Sequence, residues 1–296
     1  ALHQGFDART GRQIGPRTPD PATFQTFDDL FAAFEAQFHH VLEIKMRGNQ
    51  VIERQFATRM PHIFLSVITD DCIKKGRDYN SGGARYNNTF VQIVGIGSIT
   101  DCLSALKEVV FEKGEIALPD LVKALDADFK GLEPLRQRLV NKTHKYGNDD
   151  DYADSLMVRT FNMLFKAVDG RPNGKGGAYR IEMLPTTCHV YFGEVCLASP
   201  DGRKKGLPLS EGISPVQGAD RNGPTAVLKS AGKMDHVKTG GTLLNMKFTP
   251  SLLEGEGEVE IEGVTHTTHK AVRHPVVRMI EAITAAFGVI APISAA

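Results

Sequence analysis

Short apolar runs rich in β-branched and aromatic residues alternate with longer, helix-patterned segments along most of this chain. A strand of a parallel sheet is buried on both faces and therefore reads as a short, continuous apolar run. The runs predicted to form strands are Ile63–Ile68, Thr89–Ile96, Tyr179–Leu184, Thr187–Phe192 and Gly241–Phe248. Their alternation with helical segments predicts an α/β fold whose strands are covered on both faces.

The helical segments carry apolar residues at three- and four-residue spacing. A long helix is predicted to begin after Thr26, where Asp29 completes a capping box. Ser98 and Asp101 have the same spacing and predict another helix start. Further helices are predicted around Leu121–Leu125, over Asp151–Val168, and after Asn222-Gly223-Pro224, where a proline occupies the first turn.

Charge and cysteine content narrow the class of protein. The 296 residues carry 35 basic and 35 acidic side chains, so the charge balance gives no reason to expect binding to nucleic acid or to an anionic membrane. The four cysteines are scattered and form no C-x-x-C pair, which favours a reducing cytoplasm over a disulfide framework or a zinc site. The longest apolar stretch, residues 282–296, is shorter than the roughly 20 residues that a membrane-spanning helix needs.

The segment Met183–Glu194 places polar and aromatic residues where a core strand is predicted. Because side chains alternate along a strand, Thr187, His189 and Tyr191 are expected on one face and Thr186 on the other. Three hydrogen-bonding groups on one face could line a polar cavity. They could equally be satisfied by backbone groups within the core, as most buried polar side chains are.

Other patterns suggest no further site. The glycine clusters near Gly82, Gly174 and Gly240 match neither phosphate-binding loop motif and are better explained as tight turns. His266 and His269 could share a helical face, but no third ligand is evident, so no metal site is predicted. The serines lie outside a G-x-S-x-G elbow.

From Gly82 to Asn245 the chain carries a series of short motifs rich in glycine, proline and polar residues. They are Gly82-Gly83-Ala84-Arg85-Tyr86-Asn87, Pro185–Glu194, Ala198-Ser199-Pro200-Asp201-Gly202-Arg203, Pro208–Pro215, Gly223-Pro224-Thr225-Ala226 and Gly240–Asn245. This series resembles the glycyl-radical enzymes of the pyruvate formate-lyase type, and most of all their dehydratase and carbon–heteroatom lyase branch. The resemblance covers residues 1–260 as a partial barrel domain. It leaves residues 261–296 as an unassigned tail, which a non-native or truncated end would explain.

The resemblance implies a ten-stranded α/β barrel with surrounding helices, of which this chain supplies mainly the second half. It also implies a lyase or dehydratase that uses a thiyl radical to cleave a C–O or other carbon–heteroatom bond of a small hydroxylated substrate. No cofactor is expected to bind directly. A separate iron–sulfur activating enzyme that uses S-adenosylmethionine would install the glycyl radical, and the full-length form could be a homodimer. Thr186, Thr187, His189 and Tyr191 become the candidate substrate-binding residues.

Two departures from the family limit what this chain is expected to do. The cysteine loop of the dehydratase branch reads G-C-V-E, and none of the four cysteines is followed by Val-Glu. The radical motif R-V-x-G-Y is also absent. We therefore expect a fragment that has no catalytic residue of its own and is inactive alone. Two alternatives stay open: a member resembling formate C-acetyltransferase, and an inert half-barrel that binds a partner or is a remnant.

Overall fold

The computed structural model describes residues 1–246 and the backbone of residues 257–261 and 264–268. The helices are α1 Phe27–Arg59, α2 Ile63–Ile68, α3 Cys72–Lys75, α4 Ile96–Leu106, α5 Leu118–Asp126, α6 Glu133–Asn141, α7 Asp151–Val168, α8 Cys188–Val195 and α9 Pro224–Gly232. The strands are β1 Phe6–Asp7, β2 Arg12–Gln13, β3 Thr89–Gln92, β4 Tyr179–Glu182, β5 Gly257–Ile261 and β6 Val264–Thr268. A π-helical turn, Lys107–Glu112, continues α4.

A parallel pair of strands confirms the predicted α/β class. β3 and β4 pair in parallel with Val91 opposite Ile181, and a long helical connection joins them, as a parallel pair requires. Side chains alternate along β4, so that Tyr179 and Ile181 are buried while Arg180 is exposed. Within the described residues the sheet is therefore covered on one face, and the expectation that both faces are covered is wrong for this part of the chain.

The core lies between this sheet and two helices, α4 and α7, that pack against each other. α7 has the expected apolar stripe, and Met157, Phe161 and Val168 are almost completely buried. Each such side chain contributes roughly 1.5–3 kcal/mol through the burial of apolar surface. The starts of α7 and α9 agree with the sequence, and Pro224 occupies the first turn of α9. α5 contains the predicted stretch Leu121–Leu125 but begins three residues earlier, at Leu118.

The long helix α1 begins as predicted. Thr26 Oγ1 accepts the Asp29 N–H at 3.2 Å, and Asp29 Oδ2 accepts the Thr26 N–H at 2.8 Å. This reciprocal capping box satisfies two of the N–H groups that a helix start leaves without partners.

The apolar run Ile63–Ile68 is a helix, so its prediction as a buried strand is wrong. Asp78 Oδ2 accepts both the His62 N–H at 2.9 Å and the Ser66 hydroxyl at 2.7 Å, and this contact holds the start of α2 in place. The side chains are also exposed, with Phe64 at 78%. Continuous hydrophobicity over so few residues does not distinguish a strand from a short helix.

Two other segments predicted as strands have a different structure. Thr187–Phe192 forms most of α8, and Gly241–Phe248 is reduced within residues 241–246 to one parallel bridge between Thr242 and Met183. Residues 247 and 248 lie outside the described residues. Proline at 185 has no N–H to continue the ladder, and Thr186 has φ +51°, which turns the chain away from the sheet after Met183.

Candidate functional site

A cavity of about 420 Å³ lies beside the N-terminal half of α8. Its walls come from α8, from the segment 201–219, and from residues of α4, α6 and the turn that follows α6. Among the lining side chains are His189 and Glu211, which are partly buried, and Asp101, Lys145 and Arg203, which are buried. A volume of this size is within the range of small-molecule sites.

The ring of His189 is oriented by two contacts. Its Nδ1 lies 3.1 Å from the carbonyl oxygen of Thr186, and its Nε2 lies 3.7 Å from Oε2 of Glu211. A carbonyl can only accept, so Nδ1 is the nitrogen that carries a proton in this contact. Nε2 is then the nitrogen available to a ligand or to Glu211.

The four residues predicted to bind substrate do not share one face. Successive residues of a helix are rotated by about 100°, so His189 and Tyr191 point in nearly opposite directions on α8. Tyr191 is 62% exposed, and Thr186 and Thr187 are exposed as well. Of the four side chains, His189 lines the cavity, while Thr186 contributes the carbonyl group that orients it.

The sequence predicted no role in a functional site for Asp101 or Lys145. Asp101 is 1% exposed, and its Oδ1 accepts the Tyr146 N–H at 2.8 Å. Burial raises the pKa of Asp101 to about 7, and the charge of nearby Lys145 opposes that shift only in part. A buried carboxyl group with a pKa in this range is a recognised mark of functional sites.

A buried polar stripe on α4 and its π-helical continuation holds the walls of the cavity. Ser98 bonds to Ser210, Asp101 to Tyr146, Ser104 to the His144 carbonyl, and Glu108 to the His144 N–H. The spacing of three, three and four residues places these side chains on one helical face. A row of polar residues at this spacing within an apolar helix is the sequence signal that could have indicated the site. The sequence analysis used only Ser98 and Asp101 from this row, as a capping box.

The described residues contain no cluster of three or more side chains that could hold a metal ion. His266 lies in β6 rather than in a helix, and His269 lies outside the described residues. Over the same part of the chain, no helix combines the length and apolar character needed to cross a bilayer.

Comparison with known families decides where the chain belongs. Residues 1–193 match the family model described as pyruvate formate lyase-like. The chain belongs to this family. Residues 209–282 match a second model, described as glycine radical. The family implied by the motifs is confirmed, whereas the division of the chain at residue 260 stays a prediction.

This pyruvate formate lyase-like chain is similar to dehydratases of known sequence and structure. It is 55% identical over 255 residues to the trans-4-hydroxy-L-proline dehydratase of Clostridioides difficile, an alignment that covers 86% of this chain and 32% of that protein. The crystal structure of hydroxyproline dehydratase from the same organism, with trans-4-hydroxy-L-proline bound, superposes with a TM-score of 0.87 at 50% identity. That alignment covers 97% of this chain and 34% of the other.

A glycerol-bound B12-independent glycerol dehydratase from Clostridium butyricum superposes with a TM-score of 0.86 at 35% identity, over 96% of this chain and 34% of that one. The chain thus spans about a third of the length of the relatives it matches. Its fold is part of the α/β barrel of glycyl-radical enzymes, as the resemblance implied.

Proposed function

We propose that the protein to which these residues belong is a glycyl-radical dehydratase or lyase. It cleaves a C–O or other carbon–heteroatom bond of a small hydroxylated molecule by thiyl-radical chemistry. The observation that supports this proposal most is the 55% identity with a trans-4-hydroxy-L-proline dehydratase over 86% of the chain. A hydroxylated ring such as that substrate is the first candidate, and a small polyol is the second.

Within the proposal, His189 is the substrate contact favoured among the four candidates. It lines a cavity of suitable volume, and the Thr186 carbonyl fixes its ring so that Nε2 is available for a hydrogen bond to a substrate hydroxyl. Thr186, Thr187 and Tyr191 are exposed in this structure, and their role in binding substrate is proposed from the family resemblance alone.

The radical chemistry requires groups that these 296 residues do not contain. No cysteine is followed by Val-Glu, and no R-V-x-G-Y motif is present. We propose that the chain alone does not turn over substrate. In the longer protein, a radical S-adenosylmethionine activating enzyme with an iron–sulfur cluster would install the glycyl radical. A cytoplasmic location and a homodimer belong to the same proposal.

The experiment uses the longer protein after anaerobic activation. We expect a doublet glycyl-radical signal by electron paramagnetic resonance and conversion of trans-4-hydroxy-L-proline or glycerol. His189→Gln is expected to keep the radical signal and to lower kcat/KM by about tenfold or more, since one substrate hydrogen bond is lost. The exposed helix residue His39 supplies a control, His39→Gln, which should leave kcat/KM unchanged. Absence of the doublet with a competent activating enzyme contradicts the proposal.

A second candidate, a half-barrel that binds a partner without chemistry, is favoured by one observation. Apolar side chains of α1 and α2 are exposed, among them Val51, Ile63 and Phe64, and an apolar surface of this kind normally marks association. Gel filtration of the 296-residue chain tests this candidate. Elution as a clean monomer counts against it.

A further inference from the structure

A short segment of the chain, Leu209–Glu211, holds His189 at two points. The Leu209 N–H donates to the carbonyl oxygen of His189 at 3.1 Å. Oε2 of Glu211 lies 3.7 Å from Nε2 of the His189 ring. Both side chains are largely withdrawn from solvent, with 15% of His189 and 24% of Glu211 exposed. The backbone and the ring of His189 are therefore both held by a segment from outside α8.

This segment is fixed on both sides of residue 211. Ser210, the residue before Glu211, exchanges two hydrogen bonds with Ser98 of α4. The carbonyl oxygen of Glu211 accepts the Ser214 N–H at 2.8 Å. α4 also approaches the segment closely at Gly97, because a Cβ atom there would lie 2.8 Å from the carbonyl oxygen of Ser214. A backbone held in this way places the Glu211 carboxylate at a defined position.

Both ring nitrogens of His189 face oxygen atoms that cannot donate. Nδ1 lies 3.1 Å from the Thr186 carbonyl oxygen, and Nε2 faces the carboxylate of Glu211. Carbonyl and carboxylate oxygens only accept hydrogen bonds. A lone pair on Nε2 would be repelled by the carboxylate, whereas a proton at that position is attracted to it. The arrangement therefore favours a ring that carries a proton on both nitrogens.

The separation of Glu211 from Nε2 keeps this proton accessible. At 3.7 Å the two atoms are too far apart for a hydrogen bond, but the attraction between opposite charges acts over this distance. Both side chains line the cavity. An oxygen atom of a ligand can therefore accept a hydrogen bond from Nε2 while Glu211 balances the charge of the ring.

The other charged side chains of the cavity wall have their partners elsewhere. Those whose hydrogen bonds go to groups other than the ring of His189 are Asp101, Arg136, Lys145, Asp201 and Arg203. The ion pair that the structure gives to the His189 ring is the one with Glu211.

We infer that Glu211 is the positioning residue for His189, and that it makes Nε2 a hydrogen-bond donor toward an oxygen atom of the substrate. The substrate oxygen in this statement rests on the proposed function, whereas the state of the ring rests on the contacts of His189 alone. Glu211 acts through the ring and need not touch the substrate. Its removal should therefore change the protons of the ring and have no effect on the reaction once His189 is gone.

Nitrogen-15 NMR of the 296-residue chain measures which ring nitrogens carry protons. The chain has 10 histidines, and the signals of His189 are those that disappear in His189→Gln. Glu211→Gln keeps the shape of the side chain and removes its charge. At pH 7 we expect it to lower the ratio of doubly to singly protonated His189 about fivefold, which is the effect of one unit charge at about 4 Å in water. An unchanged ratio overturns the inference.

Two further variants control this measurement. Glu194→Gln removes an exposed carboxylate from the same helix as His189 and should change the ratio by less than about 1.5-fold, because solvent and salt screen that charge. An equal fall in Glu194→Gln and Glu211→Gln overturns the inference. If Glu211→Gln does not fold, Glu211→Ala decides, since it also removes the carboxylate and should give the same fall.

Kinetics of the activated longer protein test whether Glu211 acts through His189. Glu211→Gln alone is expected to keep the radical signal and to lower kcat/KM about fivefold, in step with the loss of doubly protonated ring. In a His189→Gln background the same change should lower kcat/KM by less than about twofold, because the group that Glu211 positions is absent. Equal losses in the two backgrounds overturn the positioning role.

The proposed function can fail separately. If the NMR ratio falls in Glu211→Gln and the activated longer protein forms no glycyl radical, the role of Glu211 toward the ring stands and the catalytic proposal falls. If the longer protein is an active dehydratase and the ratio is unchanged in Glu211→Gln, the catalytic proposal stands and the positioning role falls.

Discussion

Ser98 and Ser210 are 112 positions apart in the sequence and bond to each other twice. The Ser98 N–H donates to Oγ of Ser210 at 3.0 Å, and the Ser210 N–H donates to Oγ of Ser98 at 2.8 Å. Ser98 lies in the first turn of α4, whose N-cap is Gly95, a residue without a side chain to accept a bond. Ser210 therefore acts as a cap from another part of the chain and fixes the neighbouring Glu211 beside His189.

Ser98→Ala removes the acceptor for the Ser210 N–H in a buried environment. An unsatisfied buried donor costs about 1–3 kcal/mol, so we expect the free energy of unfolding to fall by about 2 kcal/mol. Urea denaturation of the 296-residue chain measures it. Ser155→Ala, at an exposed position of α7, serves as the control and should change stability by less than about 0.5 kcal/mol. A similar small change in both variants would show that the hydrogen bonds between Ser98 and Ser210 do not contribute to stability.

Local signals in the sequence predicted several helices correctly and failed where distant groups decide the structure. The capping box at Thr26 and Asp29 is complete within four residues, and α1 begins there. At Ser98 the same pattern gave a wrong helix start, because α4 begins at Ile96 rather than after Ser98. The Ser98 N–H is satisfied by the hydroxyl of the distant Ser210. Similarly, Asp78 holds the start of α2 from outside that helix, and no local pattern reveals such a partner.

The candidate site was predictable only in part for the same reason. The sequence drew attention to His189 through an unusual run of polar and aromatic residues, but it assigned a strand and therefore grouped His189 with Tyr191. The left-handed backbone at Thr186 turns the chain into α8 and separates the two side chains. Lys145 and Asp101 meet at the cavity through tertiary packing, and neither stands out locally.

The buried carboxyl of Asp101 predicts a dependence of stability on pH. Its pKa is about 7 in the folded chain because burial disfavours the charged form, against about 3.9 in an unfolded chain. The folded state therefore binds more protons between these values, and stability falls as pH rises from about 4 to about 7, by at most about 1.4 kcal/mol per pH unit. Urea denaturation at pH 5, 6, 7 and 8 measures the slope.

Asp101→Asn isolates this contribution. The amide oxygen can still accept the Tyr146 N–H, while the ionisable group is gone. We expect the variant to be more stable relative to the unaltered chain at pH 8 than at pH 5. A difference between the two proteins that is constant over this range would mean that Asp101 does not titrate there.

Arg203 holds the turn that follows α8. Its guanidinium donates to the carbonyl oxygens of Leu197, Lys204 and Leu207 and to Oγ of Ser199. Arg203→Lys keeps the charge but cannot reproduce a planar fork of donors. We expect a loss of about 2–4 kcal/mol in the free energy of unfolding, measured in urea. The matched control is Arg180→Lys, since the guanidinium of Arg180 is bound to Asp169 at the exposed side of β4. We expect this variant to lose less than about 1 kcal/mol in the free energy of unfolding.

Lys233 compensates a carboxylate that has no access to solvent. Its Nζ lies 2.7 Å from Oδ2 of Asp154, a residue that is completely buried, and 2.7 Å from Oδ1 of the exposed Asp151. Burial raises the pKa of Asp154, and Lys233 opposes that shift. Removing one partner of a buried pair costs about 3–5 kcal/mol. Because Lys233 is itself 30% exposed and Asp154 keeps its bond to Ser230, we expect Lys233→Met to cost about 2–3 kcal/mol at pH 8.

The cost of Lys233→Met should shrink at low pH. Without the ammonium group, Asp154 becomes easier to protonate, and the neutral acid carries no uncompensated charge. Urea denaturation at pH 8 and pH 5 therefore gives a smaller loss at pH 5. Lys166→Met, at an exposed position of α7, should give a small and equal change at both values. An equal loss at pH 5 and pH 8 for Lys233→Met would assign Lys233 a packing role, because only the loss of a charge partner depends on the protonation of Asp154.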